Sequence, residues 1–173
     1  MIRPLTPLIL AGMLLPPAAA DAADAAGKQP AQDAAQCPAP ETVHYEAGRY
    51  RAPVRLDVGS GSGVWASTLQ PNAGSPRHLS SALYYGTRAA AAPSTGVLVN
   101  CSYALRGGKV VDLAYFDRLT PKTQRNLIVT LQHPSRWQLD QAPAPGQDQF
   151  YACSRSEDIR SAADCAFEPL RLE

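Results

Sequence analysis

The chain has 173 residues, with 16 Lys+Arg against 15 Asp+Glu and a formal net charge of +1 at pH 7. That length suffices for one domain with a real core. The charge is too near neutral for a nucleic-acid binder working through a basic face, and it gives no case for stable attachment to anionic lipid.

Residues 1–20 read MIRPLTPLILAGMLLPPAAA. Arg3 is the only charge, followed by an apolar run from Leu5 to Leu15 and the small residues Ala18, Ala19 and Ala20. These are the n-region, h-region and A-x-A site of a secretory signal peptide, with cleavage expected after Ala20 or Ala22. The run falls short of the ~20 apolar residues that a membrane span requires. Pro4, Pro7, Pro16 and Pro17 oppose the alternative of a long buried helix. Met13 stands where LILAGM would need an acylated cysteine, so no lipid anchor is expected. Cleavage would remove Arg3 alone and leave basic and acidic side chains in balance. The expected destination is the periplasm or the exterior of a bacterial cell, without a stable membrane anchor.

Residues 21–36, DAADAAGKQPAQDAAQ, lack aromatic and branched apolar side chains. They cannot bury enough surface to offset the entropy of ordering, so they are expected to form a disordered lead-in. A single domain is expected over residues 37–173.

GRYRAPVRLDV (48–58) alternates, with Tyr50, Ala52, Val54, Leu56 and Val58 on one side and Arg49, Arg51, Pro53, Arg55 and Asp57 on the other. Pro53 cannot donate to a ladder, which predicts an edge strand. Arg49, Arg51 and Arg55 form a candidate surface for an acidic protein partner. The competing explanation is that charge and proline protect an edge from aggregation. VGSGSGVWAS (58–67) predicts a flexible loop. It lacks the Lys-Ser/Thr of a phosphate loop and the spacing of a nucleophile elbow.

LSSALYYG (79–86) predicts a strand. GVLVNCSYALRGGKVVDLAYF (96–116) predicts two strands joined by a hairpin, with Gly107 and Gly108 free to take positive φ. In the first arm Val97, Val99, Cys101, Tyr103 and Leu105 share a face; in the second Val111, Leu113 and Tyr115 do. LTPKTQR (119–125) predicts a helical turn capped by Thr120 with Pro121 at its first position. NLIVTLQ, RWQLD and FYACS predict three further strands, the first two separated by His133-Pro134-Ser135.

Cys37, Cys101, Cys153 and Cys165 are an even set, as disulfides in an oxidising compartment require. Three pairings are possible. The spacings lack the C-x₂₋₄-C of zinc sites and the C-x-x-C of redox motifs. Between Cys153 and Cys165 the sequence predicts a short helix, capped by Ser154 or Ser156, with Glu157 and Asp158 at its positive end and Ile159 as an apolar contact. That helix would return the chain and favour Cys153–Cys165, leaving Cys37–Cys101. Each bridge would stabilise the fold by ~3–4.5 kcal/mol on chain-entropy grounds. The expected fold is mainly β: an antiparallel sheet or meander with a short C-terminal helix, stapled by disulfides.

Cys37-Pro38, Gly48-x-Tyr50-x-Ala52, Trp65, Cys101-x-Tyr103, Trp137, Cys153 and Cys165-x-Phe167 occur in that order. The pattern resembles a family of small secreted bacterial proteins defined only as a domain of unknown function. The likeness spans residues 37–167 and implies export and disulfides, with no assigned catalysis.

No catalytic, cofactor-binding or metal-binding residue is expected. His133, near Ser135 and Asp140, is the sole candidate base for a small cell-wall or peptide hydrolase. Asn100-Cys101-Ser102 matches a glycosylation sequon, but its central cysteine is expected in a bridge. Trp65 and Trp137 are expected in the core. The leading expectation is a non-enzymatic exported binding protein, such as an immunity or inhibitor protein against an envelope-targeted effector or enzyme. The alternatives are that hydrolase or a structural accessory protein of the envelope.

Overall fold

A computed structural model describes residues 36–54, 56–86, 94–119, 122–140, 149–157 and 160–173. The expected signal peptide, the lead-in up to residue 35, Arg55, the cap at Thr120-Pro121, and Asp158 and Ile159 lie outside them.

The described residues form an antiparallel β structure: β1 (His44–Glu46), β2 (Arg49–Val54), β3 (Gly63–Ala66), β4 (Pro76–Gly86), β5 (Thr95–Leu105), β6 (Val110–Asp117), β7 (Leu127–Leu131), β8 (Gln138–Leu139), β9 (Gln149–Ser154) and β10 (Phe167–Leu172). The main path runs β1-β2-β3-β6-β5-β4-β9-β8, and β7 joins β5 while carrying β10 on its other side. β5 is therefore a fork. Its residues Cys101–Ala104 pair with β6, while Thr95–Leu98 pair with β7. The mainly antiparallel, disulfide-bonded fold read from the sequence is the one observed.

The register explains where the alternation rule holds and where it breaks. In β2, Tyr50, Ala52 and Val54 are buried, and in β6 Val111, Leu113, Tyr115 and Asp117 are. In β5 the expected face is wrong at its start. Leu83 pairs with Asn100 but Tyr84 pairs with Leu98, so Val99 is an extra residue. A bulge of this kind reverses which face each side chain takes. Leu98 therefore joins Cys101, Tyr103 and Leu105 in the core, while Val97 and Val99 stay half-buried. β4 carries two further bulges, at Arg77 and Ser80.

β2 is not an edge strand over its whole length, because β1 covers Arg49–Arg51. Tyr50 takes the Ser67 amide proton on its carbonyl, 3.0 Å, which sets its ladder groups toward β3. Alternation then turns the Pro53 nitrogen to the outer side, beyond the end of β1. The proline sits at the one stretch of β2 where an amide would face no strand.

In the β5–β6 hairpin only Gly108 takes positive φ, 78°. The Gly108 amide donates to the Leu105 carbonyl and the Leu105 amide to that of Lys109, 3.0 and 2.8 Å, the pattern of a type I turn followed by a glycine bulge. The "flexible" VGSGSGVWAS segment contains β3. The expected helix between Cys153 and Cys165 is not seen in the described residues there. A 3₁₀ turn, Ala162–Cys165, is capped instead by Ser161 and Asp164, and the chain leaves it as β10. Lys122 and Thr123 form a turn and a bend, and residues 124–126 have no regular structure, in place of the expected helical turn.

The core holds Tyr50, Trp65, Tyr84, Tyr103, Tyr115, Trp137 and Phe167, with Leu105, Leu113 and Leu127. Trp65 packs edge-on against Tyr115 and Trp137 against Tyr84, with centroids 5.7 and 5.9 Å apart. Cys37–Cys101 fastens the start of the domain to β5, and Cys153–Cys165 fastens β9 to the turn before β10. The Tyr103 hydroxyl donates to the Pro38 carbonyl, 2.7 Å, beside the first bridge. Two bridges of this kind are characteristic of proteins outside the cytoplasm. No helix among the described residues is long and apolar enough to cross a membrane.

Candidate functional site

The arginines of β2 lie on the outward face, as the alternation predicted. Arg49 is opposite Glu46, and Arg51 lies between His44 and Ala66. Arg49 is already engaged: its guanidinium donates to the Ser67 carbonyl, 2.7 Å. Arg51 is half-buried, and its Nε has no hydrogen-bond partner. Of the three cations expected there, one is spent on the fold and one is partly covered; Arg55 lies outside the described residues.

The outward face of β9, β4 and β5 is graded along its length. Phe150 pairs with Tyr85 and Tyr85 with Val97; Ala152 pairs with Leu83, and Ser154 with Ser81, which pairs with Ser102. The rungs thus run from the aromatic pair, through Ala152, Leu83 and Asn100, to hydroxyls. At the aromatic end Tyr85 and Phe150 contact each other with centroids 4.9 Å apart, yet remain 37% and 43% exposed. Leu139 on β8 is 46% exposed, but it pairs with Tyr151 and so belongs to the other face from Tyr85 and Phe150. An open groove of about 620 Å³ follows β8 and β9, lined among others by Arg136, Gln138, Leu139, Ser154 and Arg155.

Beyond the hydroxyl rungs lies a cationic rim. Arg77 and His78 sit on β4, where the Arg77 bulge brings the two side chains together on one stretch. The Arg106 amide donates to the Ser75 carbonyl and the Arg155 amide to that of Ser80, 3.0 and 2.8 Å, so the two flank them. Arg77, Arg106 and Arg155 are exposed, and none makes a side-chain hydrogen bond or ion pair among the described residues. Partial burial lowers the His78 pKa, and the charges of Arg155 and Arg77 lower it further.

Candidates for chemistry resolve into structural roles. His133 is exposed, precedes the 3₁₀ turn Pro134–Arg136, and makes no side-chain hydrogen bond among the described residues. Among the described residues no hydrogen bond joins it to a nucleophile or to an orienting group. The Ser60 hydroxyl donates to the Ser62 carbonyl, 2.5 Å, and the Ser60 amide donates to Asp117, 3.0 Å. Asp117 is buried and also accepts the Leu119 amide proton, 2.7 Å. These hydrogen bonds, Ser60's first, hold its carboxyl below the usual carboxylate range despite burial. Burial, with the Asp117 charge second, pushes the Tyr115 hydroxyl up to about 12. All four cysteines are bridged, which removes them as thiolate ligands. Asn100 is half-buried in β5 with its Oδ1 enclosed, a poor glycan acceptor.

The sequence reading missed the exposed aromatic pair and the cationic rim. Tyr85 and Phe150 lie 65 positions apart, and only the β4–β9 pairing joins them. Arg77, Arg106 and Arg155 come from three separate segments, which no spacing rule links.

Against known proteins, the family model described as "Protein of unknown function (DUF3757)" matches residues 31–168. No curated protein and no solved structure matches the chain.

Proposed function

The chain belongs to this family of proteins of unknown function, and from that premise we propose that it is a non-enzymatic exported protein that binds a protein partner in the periplasm or outside the cell. What supports the reading is the aromatic end of the sheet. The fold buries both tryptophans and most of its tyrosines almost completely, yet leaves Tyr85 and Phe150 in open contact. Aromatic anchors backed by a rigid sheet are the side chains that dominate protein interfaces. Such a surface can occlude an envelope-targeted effector or enzyme without chemistry of its own, as an immunity or inhibitor protein does. The N-terminal sequence supports export through a cleaved signal peptide.

The test is affinity capture from envelope extract. Wild-type protein is expected to recover one stoichiometric partner, and the Tyr85→Ala, Phe150→Ala double variant to lose it. An Arg51→Glu variant measures the β2 face separately. Recovery that survives the double variant but is lost in Arg51→Glu would transfer the interface to β2. Recovery unchanged in both would end the proposal.

A further inference from the structure

We infer that Arg77, Arg106 and Arg155 form a rim that binds a linear polyanion carrying repeated phosphate or sulfate groups. The site is separate from the aromatic partner face and stands on different observations. Three segments converge on one stretch of β4. The β5–β6 turn brings Arg106 to Ser75, and the chain leaving β9 brings Arg155 to Ser80. Arg77 and His78 lie between these two attachment points, and Arg77 and Arg106 line a common open recess of about 490 Å³.

Among the described residues no carboxylate lies within ion-pair distance of the three guanidinium groups. Asp112, on the neighbouring ladder, already accepts the Ser102 hydroxyl, 2.5 Å. Asp164, near the second disulfide, accepts the amides of Ser161 and Arg160, 2.9 and 3.0 Å. Of the other described arginines, Arg49, Arg125, Arg160 and Arg171 make side-chain bonds, to Ser67, Leu172, Glu157 and Glu173, while Arg118 and the Nε of Arg51 do not. Like charges gathered without counter-charge are unfavourable in the free protein, and an anion relieves that repulsion. The lowered His78 pKa is consistent with the same uncompensated field.

Geometry sets the ligand class. Ser75 and Ser80 are five residues apart, about 15 Å along a bulged strand. A chain with repeated oxyanions can engage all three guanidinium groups where they stand, whereas one phosphate meets the flanking pair only if both side chains fold inward. Guanidinium groups suit phosphate and sulfate because each presents paired donors. A nucleic-acid strand would find phosphate contacts here but no base-stacking platform, since Tyr85 and Phe150 lie at the other end of β4.

The experiment titrates the disulfide-bonded protein at 50 mM salt with long-chain polyphosphate, heparin, inorganic phosphate, a dT oligomer, and phosphatidylglycerol vesicles. Polyphosphate and heparin are expected to bind, with a log affinity against log salt slope of about −2 for three neutralised charges. Inorganic phosphate is expected to bind at least about 100-fold more weakly, as a single contact lacks the multivalent gain. Each single Arg→Gln change at 77, 106 or 155 should weaken binding about 5-fold, and the triple variant at least about 50-fold. Arg51→Gln should change nothing. Urea unfolding of the triple variant checks that the fold persists. The inference is overturned if the wild type binds neither polymer, if the triple variant binds as the wild type does, or if Arg51→Gln loses as much. It is equally overturned if the vesicles or the dT oligomer bind more tightly than both polymers, which would assign the rim to a membrane surface or a nucleic acid.

Discussion

The two ends of β6 treat charge in opposite ways. At the C-terminal end Asp117 is buried, accepts the amides of Ser60 and Leu119, and so ties the loop before β3 to the strand's end. Nearby, Arg125 donates to the Leu172 carbonyl, 3.1 Å, and fixes β10. At the N-terminal end the hairpin presents Arg106 beside Arg77, exposed and without side-chain partners among the described residues. A charge whose hydrogen bonds are all made inside the fold serves stability and has nothing left to offer a ligand. A charge left open contributes little to stability and keeps its donors for something else.

The contrast can be broken at several points. Replacing Cys153 and Cys165 by alanine removes the bridge that holds the segment leading to Arg155. We expect a loss of about 3 kcal/mol, the chain-entropy value for a loop of this size, together with weaker polyanion binding; urea unfolding and titration measure the two. Asp117→Ala leaves two amides without their acceptor and should cost about 2 kcal/mol while polyanion binding is unchanged. A matching loss of affinity would mean the two ends are coupled.

Acid should act on the closed end through Asp117. Because the Asp117 pKa is lowered in the folded protein, its contribution is present above the ordinary aspartate pKa. It fades as pH falls through the folded value. The urea midpoint of the wild type should therefore drop below about pH 4 more than that of Asp117→Asn. Parallel curves for the two proteins would contradict this. Arg49→Ala should cost about 1 kcal/mol, for one charged hydrogen bond to the Ser67 carbonyl. Arg77→Gln and Arg155→Gln should stay within about 0.5 kcal/mol of wild type. A larger loss would show that the rim arginines hold the fold after all.

Much of the fold was legible wherever one rule governed a segment. Alternation identified the buried sets of β2 and β6, and the cysteine spacing pointed to Cys37–Cys101 and Cys153–Cys165. Legibility failed where a neighbour intervened. Val97 and Val99 lost their expected place because the partner strand imposed a bulge at Val99. β3 hid in a glycine- and serine-rich stretch, and becomes a strand because β2 and β6 supply ladders on both sides. β10 was hidden by Pro169 and alternating charges, which are tolerated because β7 pairs with it on one side only. The candidate site was less legible still. Arg49 and Arg51 were correctly placed on one outward face, but nothing in the sequence told that Ser67 would take up Arg49.

By itself the sequence determined what depends on near neighbours: the strand-forming runs, the even cysteine set and the balance of charge. Tertiary structure alone decided the fork in β5, the open contact of Tyr85 with Phe150, and the gathering of Arg77, Arg106 and Arg155. These depend on which distant strands pair and in what register. Pairing is set by the summed burial of whole faces, a quantity that no local window of residues contains.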